Sequence, residues 1–219
     1  MGEQITRQML NQLSAEILSR GRWGNADLVC CRFHGKTWAI KDFSPCPPLV
    51  RKTWGRWMVQ REYKAFVRLM GIPGIPPDPF LLDAYAVGYR FIPGRTLREA
   101  RANELSDDFF YRLEDVVKRM HDRRIVHLDL RNRRNILVSE NGEPVLLDFQ
   151  SCMDLNYIPR VFHRLLRDID LSGVYKNWIK LRPDLMDETR LAHLARMNRR
   201  RSLWVFKGYP MGTKGKRRS

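Results

Sequence analysis

The alternation of apolar and polar positions divides the chain into a strand-rich first part and a helical second part. Apolar residues spaced three and four apart predict an amphipathic helix over residues 4–19, which Gly21 ends. Two short apolar runs, Leu28–Phe33 and Thr37–Phe43, flank a His-Gly-Lys turn and predict a β-hairpin. The second of these strands carries Lys41 near its end.

The next segment predicts a helix between two proline-rich breaks. The helix runs from Thr53 to Met70, and the run Gly-Ile-Pro-Gly-Ile-Pro-Pro at 71–77 ends it. Strand-like segments follow at Phe80–Asp83 and Ala84–Ile92, and Pro93-Gly94 then marks a turn. This turn suits a hinge between a sheet-rich part and a helical part.

Helical periodicity dominates the second half of the chain. Ser106 is the expected N-cap of a helix that runs to His121. Two apolar runs, Val126–Leu130 and Asn135–Val138, enclose a polar loop, and an Asn-Gly turn then predicts a hairpin into Pro144–Phe149. Helices are also predicted over 160–182 and 187–200. The inward positions of the last helix are expected to be Leu191, Leu194, Ala195 and Met197.

The basic charge of the chain is concentrated at its C-terminal end. The 219 residues carry a formal net charge of +16, and residues 190–219 hold ten Lys or Arg and no Asp or Glu. Such a segment attracts anionic partners, whether phospholipid, nucleic acid or acidic glycolipid. Within it, Trp204 and Phe206 either contact an anionic membrane surface or anchor the segment to the helical part. The last ten residues, 210–219, are predicted to be a disordered tail.

Neither the cysteines nor the apolar runs indicate an extracellular or membrane-spanning protein. The four cysteines show no spacing typical of a zinc site or a disulfide framework, which favours a reducing compartment. No apolar run approaches the ~20 residues of a membrane span, and no leader pattern precedes the first helix. We therefore expect a cytoplasmic protein, with a peripheral contact at the cytoplasmic face of the inner membrane as a further hypothesis.

Four polar sites follow one another in the order that phosphoryl transfer from ATP requires. Lys41 is a strand-end cation that can reach the phosphates, and Glu62 on the next helix can pair with it. Asp129 can accept a hydrogen bond and a proton from an attacking hydroxyl. Asn135, at the end of the same loop as Asp129, and Asp148, the fourth site, can ligate Mg²⁺ through oxygen atoms. Taken alone, each residue is as well explained by a solvated charge or a turn.

Together these segments resemble the protein-kinase-like superfamily. The resemblance rests on His-x-Asp-Leu at 127–130, Asn-Ile-Leu-Val at 135–138 and Leu-Leu-Asp-Phe at 146–149, preceded by Ala-Ile-Lys and a helical glutamate, and it spans roughly residues 20–155. It implies an α+β, two-lobed fold, with a small β-rich N-lobe at about 20–92 and a reduced helical C-lobe at about 95–209. It also implies ATP and Mg²⁺ as cofactors, and adenine recognition by the backbone around Arg90 to Ile92.

The chain departs from the superfamily pattern in its glycine loop, its catalytic loop and its metal-binding segment. The phosphate-cradling loop lacks a regular glycine pattern, which leaves Gly21, Gly24 and Asn25 as candidate phosphate contacts. The catalytic loop is one residue longer than usual, so Asn132 is a rival to Asn135 as the metal ligand. The metal segment reads Asp-Phe-Gln, and no activation loop of ordinary length follows. These features predict a minimal kinase that is not switched by loop phosphorylation.

Within the superfamily, the chain looks most like the bacterial lipopolysaccharide kinases, which include Kdo and heptose kinases, and their RIO-like branch. Supporting segments are Gly-Ile-Pro-Gly-Ile-Pro at 71–76, residues 91–97 and Asp-Phe-Gln-Ser at 148–151. The implied function is transfer of the γ-phosphoryl group to a hydroxyl of a lipopolysaccharide-core sugar or a similar anionic glycolipid. Arg131, Arg133 and Arg134 either bind this acceptor or neutralise Asp129 and the nucleotide.

Two other functions remain open from the sequence. The first is a RIO-like serine/threonine protein kinase or ATPase that works near RNA, for which the basic tail would contact the phosphate backbone. The absence of an RNA-binding signature makes this alternative weaker. The second is a nucleotide-binding pseudokinase that acts as a scaffold, although all four key polar residues are present.

Overall fold

The computed structural model describes residues 5–21 and 24–203, with the side chains of 201–203 excepted. Its first half is built on a five-stranded antiparallel sheet in the order β1-β2-β3-β5-β4. The strands are β1 (Glu16–Ser19), β2 (Asp27–Phe33), β3 (Lys36–Asp42), β4 (Phe80–Asp83) and β5 (Ala86–Arg90). Strand β3 lies at the centre of the sheet, so its C-terminal end is held between β2 and β5.

The predicted hairpin forms with nearly the expected bounds. Strands β2 and β3 pair in register from Asp27 opposite Asp42 to Phe33 opposite Lys36. His34 and Gly35 form the turn, and both have positive φ angles of 49° and 71°. Two consecutive residues of this kind make the tight turn whose twist matches that of the strands. Strand β3 therefore carries Lys41 to a fixed place opposite Leu28.

The N-terminal helix is much shorter than predicted. Helix α1 (Arg7–Gln12) ends at Gln12, and residues 16–19 form strand β1 instead of helix. Glu16 and Ile17 pair with Cys30 and Val29 of β2, because this edge of the sheet offers unpaired backbone groups that an extended chain satisfies. The prediction of a helix over 4–19 was wrong for its second half. A stretch as short as residues 16–19 contains too few apolar positions to distinguish a helix from a strand.

Helices α1 and α3 cover the two faces of the sheet. Helix α3 (Arg56–Leu69) follows a short helix α2 (Pro48–Val50) and a π-helical turn, Arg51–Gly55. The helical segment thus begins five residues before the predicted Thr53. On the opposite face, α1 packs Leu10 against the sheet, and Arg7 bonds to Asp42 and Asp83.

The second half combines three helices with two small sheets. The helices are α4 (Phe109–Asp122), α5 (Arg160–Leu181) and α6 (Glu188–Leu203), and the strands are β6 (Gly94–Thr96), β7 (Ile125–Val126), β8 (Ile136–Ser139), β9 (Pro144–Leu146) and β10 (Met153–Asp154). Strands β6, β8 and β9 form one sheet, and β7 pairs with β10. The main hydrophobic core joins α3 to α4 and α5, so it runs continuously between the two parts.

Several local predictions need correction. The N-cap of α4 is Asp108, two residues after Ser106, whose hydroxyl accepts a hydrogen bond from Arg112 instead. In α6, Leu194 and Met197 are buried as predicted, whereas Ala195 is exposed and Leu191 is 37% exposed, because α6 packs mainly against α5 and buries only a narrow stripe of its surface. The predictions for Trp204, Phe206 and the tail at 210–219 lie outside the described residues.

The mixed arrangement of an antiparallel sheet followed by a helical part confirms the predicted α+β, two-lobed fold. All four cysteines are free. Among the described residues, no helix is both long enough and apolar enough to span a membrane.

Candidate active site

The structure brings Lys41, Glu62 and Asp148 together from three separate elements. The Lys41 Nζ atom lies 2.7 Å from Glu62 Oε1 and 2.7 Å from Asp148 Oδ1. Glu62, on the inner face of α3, is 1% exposed, the lysine side chain 12% and the Asp148 side chain 40%. The ion pair between Lys41 and Glu62 that the sequence predicted is therefore present, and one carboxylate at this centre stays accessible.

Strand β9 and the turn after it determine the position of Asp148. This residue has a left-handed backbone with φ of 62°, which lets the chain turn sharply into a 3₁₀ turn at Phe149–Ser151. The Phe149 N–H donates to Glu62 Oε1 at 3.2 Å, and the Phe149 ring packs against Phe66 at a centroid distance of 5.1 Å. The backbone of this segment and the helix that carries Glu62 are thus linked directly.

The loop between β7 and β8 places Asp129 beside Asn135. The Asn135 Nδ2 atom donates to Asp129 Oδ2 at 2.8 Å and to the Asp129 carbonyl at 3.1 Å. The Asn135 carbonyl accepts from the Leu147 N–H at 2.9 Å, which puts Asn135 next to the strand end that carries Asp148. The two halves of the predicted site therefore meet across β8 and β9.

The longer loop still leaves Asn135 as the better metal-ligand candidate. The Asn132 side-chain oxygen caps the 3₁₀ turn by accepting from the Arg134 N–H at 3.2 Å. Asn132 Nδ2 in turn donates to Asn135 Oδ1 at 3.3 Å, so each side-chain oxygen accepts one hydrogen bond. Asn135 is favoured by its position, because its carbonyl is bonded to Leu147, next to Asp148, whereas Asn132 lies on an exposed turn.

Helix α5 fixes this loop through a buried aspartate. Asp170 is fully buried and accepts hydrogen bonds from the His127 N–H at 2.8 Å, the Leu128 N–H at 2.6 Å and His121 Nε2 at 3.0 Å. Leu128 has a left-handed backbone with φ of 67°, which costs energy in a bulky residue. The bonds to Asp170 stabilise this backbone, and they hold the following residue, Asp129, next to Asn135.

Comparison with known families identifies the fold that holds these residues. The family model of the RIO domain matches residues 49–187, more than half of the chain. The chain belongs to the RIO domain family. The match covers the glutamate helix, the catalytic loop, the metal segment and most of the helical part. A search of the curated proteins found no match.

Membership in the RIO family has direct consequences for chemistry. The family lies within the protein-kinase-like superfamily and comprises atypical kinases and ATPases, so the chain is a kinase-like enzyme that uses ATP. ATP use by such enzymes in general requires Mg²⁺. The matched segment begins at residue 49, so Lys41 lies before it. Lys41 belongs to the same site through its two ion pairs.

The charges in the RIO site are strongly coupled. Burial by itself lowers the pKa of Lys41, but the carboxylates of Asp148 and Glu62 outweigh it and raise that pKa well above its usual value. Burial raises the pKa of Glu62, and the attraction of Lys41 does not fully offset this. Burial also acts to raise the pKa of Asp148, but the lysine lowers it below its usual value. Lys41 is therefore stabilised in its protonated form, and the pKa values of its two carboxylate partners are shifted in opposite directions.

The donor atoms suit a hard divalent cation. Within residues 5–21 and 24–200, no three His, Cys, Asp or Glu side chains cluster as a metal centre. Asn135 and Asp148 instead offer one amide oxygen and one partly exposed carboxylate at adjacent strand ends. Mg²⁺ prefers oxygen ligands and keeps several of its own waters or substrate phosphates. A site with one or two protein ligands therefore fits this ion.

The predicted phosphate loop is only partly described, because Arg22 and Trp23 lie outside the described residues. The Gly21 N–H donates to Asp27 Oδ1 at 2.7 Å, so this amide is already occupied. Gly24 has a φ of 90°, a backbone that favours glycine. Asn25 contributes its carbonyl to Cys46 Sγ at 3.4 Å. The phosphate-binding roles of Gly21, Gly24 and Asn25 remain predictions.

The three arginines of the catalytic loop separate into two groups. Arg131 turns towards the helices, where it lies 3.4 Å from Ser172 Oγ and 3.4 Å from Asn198 Oδ1. The Arg133 and Arg134 side chains form no hydrogen bond or ion pair with another described residue. Arg131 is thus placed to stabilise the loop. Hydrogen bonds from Thr96 and, in addition, the Arg134 charge lower the pKa of Glu99, and the Arg133 side chain has no ion pair among the described residues.

Sequence reasoning missed Asp170, Asn177 and Arg61. Asn177 Nδ2 donates to the Leu130 carbonyl at 2.8 Å, and Arg61 Nε donates to the Cys152 carbonyl at 2.6 Å. Asp170 carried no usable local signal, because an aspartate on a helix is usually a solvated charge. Arg61 carried no such signal either.

Proposed function

We propose that the chain is a Mg²⁺- and ATP-dependent kinase that transfers the γ-phosphoryl group to a hydroxyl on an anionic acceptor, a lipopolysaccharide-core sugar or a similar glycolipid. One observation carries the proposal: Asp129, held 2.8 Å from Asn135, lies on the same short loop as Arg133 and Arg134, whose guanidinium groups form no ion pair within the described part of the chain. The pKa of Glu99 is lowered by hydrogen bonds from Thr96 and also by the nearby Arg134 charge, so Arg133 is the less compensated cation of the two. A base and two cations side by side suit an acceptor that has both a hydroxyl and negative charge.

Each polar residue has a distinct role in this proposal. Lys41 binds the α and β phosphates, and Glu62 holds the lysine extended towards them. Asn135 and Asp148 hold the metal ion, which when bound neutralises charge on the phosphates. Asp129 accepts a hydrogen bond from the acceptor hydroxyl and takes its proton. The hydroxyl oxygen forms a bond to the γ-phosphorus while the bond from that phosphorus to ADP breaks.

The length of the segment after Asp148 favours a small acceptor over an extended peptide. Only residues 149–159 separate Asp148 from the start of α5 at Arg160. Part of this segment pairs with β7, since Met153 lies opposite Val126 and Asp154 opposite Ile125. Little of it is therefore left to form the docking surface for an extended protein substrate.

A RIO-like serine/threonine protein kinase or ATPase that acts near RNA is the second candidate. The family match favours its chemistry, and the net charge of +16 favours an anionic environment. It shares every role assigned above and differs only in the acceptor, which would be a protein hydroxyl or water. A pseudokinase scaffold is the third candidate and would need Mg-ATP binding without transfer.

Transfer of label from γ-labelled ATP to three acceptors tests the proposal. The acceptors are an isolated lipopolysaccharide core, the same core with its acidic groups removed, and a mixture of proteins. We expect label in the intact core, and the variant Arg133→Ser/Arg134→Ser should raise KM for the core about tenfold or more while KM for ATP is unchanged. Arg32→Ser/Lys36→Ser, on the exposed end of the β2–β3 hairpin, is the matched control. Label in protein alone would favour the second candidate, and ATP binding without any transfer would favour the third.

A further inference from the structure

A large apolar cavity opens on the outer face of α3, away from the Lys41 ion pairs. It has a volume of about 1040 Å³ and lies between α3 and the segment that follows Asp148. Its lining includes Trp57, Met153, Tyr157 and Ile158. Tyr157 is 85% exposed, and Val161 and Phe162, just beyond it, are 78% and 50% exposed. Contiguous exposed apolar groups of this size mark an interaction surface.

A second cavity, rich in arginine, lies between α4 and α5. Its volume is about 500 Å³, and Arg124, Arg160, Arg164 and Arg167 line it. None of the four forms an ion pair with another described residue. Arg167 donates to the His121 carbonyl at 3.2 Å, while its buried Nε atom has no partner. Asp122 and Asp168 also line this cavity, but they are outnumbered by the cations.

One short segment joins the two cavities. Residues 157 and 158 line the apolar cavity, and Arg160, His163 and Arg164 line the arginine cavity. Val161 and Phe162 lie between these residues in the sequence, in the exposed first turn of α5. We call this combined surface, formed by both cavities and residues 157–164, the docking face. It places apolar side chains within a few residues of unpaired guanidinium groups.

The charge around the docking face selects its partner. Residues 51–69, which include α3, hold six Lys or Arg and one acid, Glu62, which is buried and paired to Lys41. Residues 204–219 of this chain carry five Lys or Arg and no acid, so like charge opposes their binding here. A second copy of this basic chain is disfavoured for the same reason. The partner must combine negative charge with an apolar phase.

We propose that the docking face binds the surface of an anionic lipid bilayer. Trp and Tyr side chains such as Trp57 and Tyr157 favour the boundary between headgroups and acyl chains. Val161 and Phe162 enter the apolar region, while Arg160 and Arg164 contact lipid phosphates. The inference concerns where the enzyme acts and goes beyond the proposed function, since it does not depend on the acceptor.

Sedimentation of the full chain with lipid vesicles tests this surface. The vesicles are phosphatidylcholine alone and an equimolar mixture with phosphatidylglycerol, without ATP or acceptor. We expect the chain to sediment with the mixture only. Arg160→Glu/Arg164→Glu and Val161→Ser/Phe162→Ser should each weaken binding about tenfold or more. Arg32→Glu/Lys36→Glu, on the exposed end of the β2–β3 hairpin, changes the net charge by the same amount and should leave binding nearly unchanged.

Three results would overturn the proposal. Equal binding to both kinds of vesicle would remove the role of charge. An equal effect of the face and hairpin variants, or no effect of either, would assign binding to overall charge or to the basic terminal segment. No binding to either kind of vesicle would contradict a lipid partner and would favour an acidic protein as the partner of the docking face. Circular dichroism spectra that match those of the unmodified chain verify that each variant is folded. Because the assay contains no ATP, its outcome is independent of whether the proposed kinase reaction is correct.

Discussion

The two halves of the active site are held in place by different forces. Lys41 is positioned by opposite charges, with Glu62 on one side and Asp148 on the other. Asp129 is positioned by its backbone, through hydrogen bonds from the preceding residues to the buried Asp170. The charged half therefore responds to pH and to bound phosphates, whereas the loop half is preorganised before any ligand arrives.

Removing Lys41 should disrupt the charged half of the site and cause the largest loss of unfolding free energy. Lys41→Met leaves the Glu62 carboxylate buried without its cation, which costs about 3–5 kcal/mol of unfolding free energy. Because the native pKa of Glu62 is already raised and should rise further, native Glu62 holds its proton to higher pH than the unfolded chain does. The deficit should therefore be larger at pH 8 than at pH 5, as measured by urea unfolding.

The double variant Lys41→Met/Glu62→Gln is the control for this effect. It removes both charges and should recover a large part of the lost unfolding free energy at pH 8. A deficit in Lys41→Met that is the same at both pH values would contradict the buried ion pair.

Replacing Asp170 should break the loop half with a smaller loss of stability. Asp170→Asn replaces a carboxylate that accepts three hydrogen bonds, and we expect a loss of about 1–3 kcal/mol in unfolding free energy. The transfer rate should fall while the affinity for Mg-ATP, measured by calorimetry, stays nearly constant. Asp168→Asn, two residues earlier on the same helix, is the matched control. An equal loss of ATP affinity in Asp170→Asn would show that the two halves are not separate.

Adding one methyl group to α5 should disturb the same loop by packing. A Cβ at Gly173 would lie 2.8 Å from the Leu130 carbonyl carbon and 2.9 Å from the Arg131 nitrogen. Gly→Ala within an ordinary helix gains about 1 kcal/mol. Gly173→Ala should lose unfolding free energy instead, and the larger Gly173→Ser should lose more. A gain in the alanine variant, seen by thermal unfolding, would show that the loop moves freely.

The reactivity of the Cys152 thiol should report on the contact between α3 and the metal segment. This is the smallest of the expected effects. Burial raises the pKa of the Cys152 thiol to about 12, so little thiolate is present at pH 8. In a variant whose other three cysteines are replaced by Ala, we expect labelling of Cys152 only in urea. Arg61→Ala removes the hydrogen bond to the Cys152 carbonyl and also a charge that lowers the Cys152 pKa. We expect the opening of the contact to outweigh the loss of this charge and to accelerate labelling several-fold in native buffer. Rapid labelling of Cys152 in the variant that keeps Arg61 would contradict a tight contact between α3 and the metal segment.

Much of the charged half could be predicted from sequence, whereas the support of the loop half could not. Lys41 and Glu62 were selected by their order along the chain, and the structure pairs them at 2.7 Å. Asp170 went unnoticed because it lies some forty residues after the backbone groups that it binds, and a helical aspartate is usually a solvated charge. Long-range hydrogen bonds of this kind leave no local pattern.

In the N-terminal segment, by contrast, a local pattern was present but predicted the wrong structure. Residues 16–19 have a spacing that suits a helix, but the open edge of β2 gives them backbone hydrogen bonds that a short isolated helix lacks. Tertiary pairing thus outweighed local periodicity. The hairpin at 27–42 was predicted well because its turn and its alternation are both local.

The central claim is that this cleft transfers phosphoryl groups with Asp129 as the base. The most direct test compares the unmodified chain with Asp129→Ala for transfer of label from γ-labelled ATP, alongside calorimetric binding of Mg-ATP to both proteins. We predict that Asp129→Ala binds Mg-ATP with similar affinity and loses transfer by about 10²–10⁴-fold. Equal transfer by the two proteins would contradict the assignment of Asp129, and failure of both to bind Mg-ATP would contradict the kinase function itself.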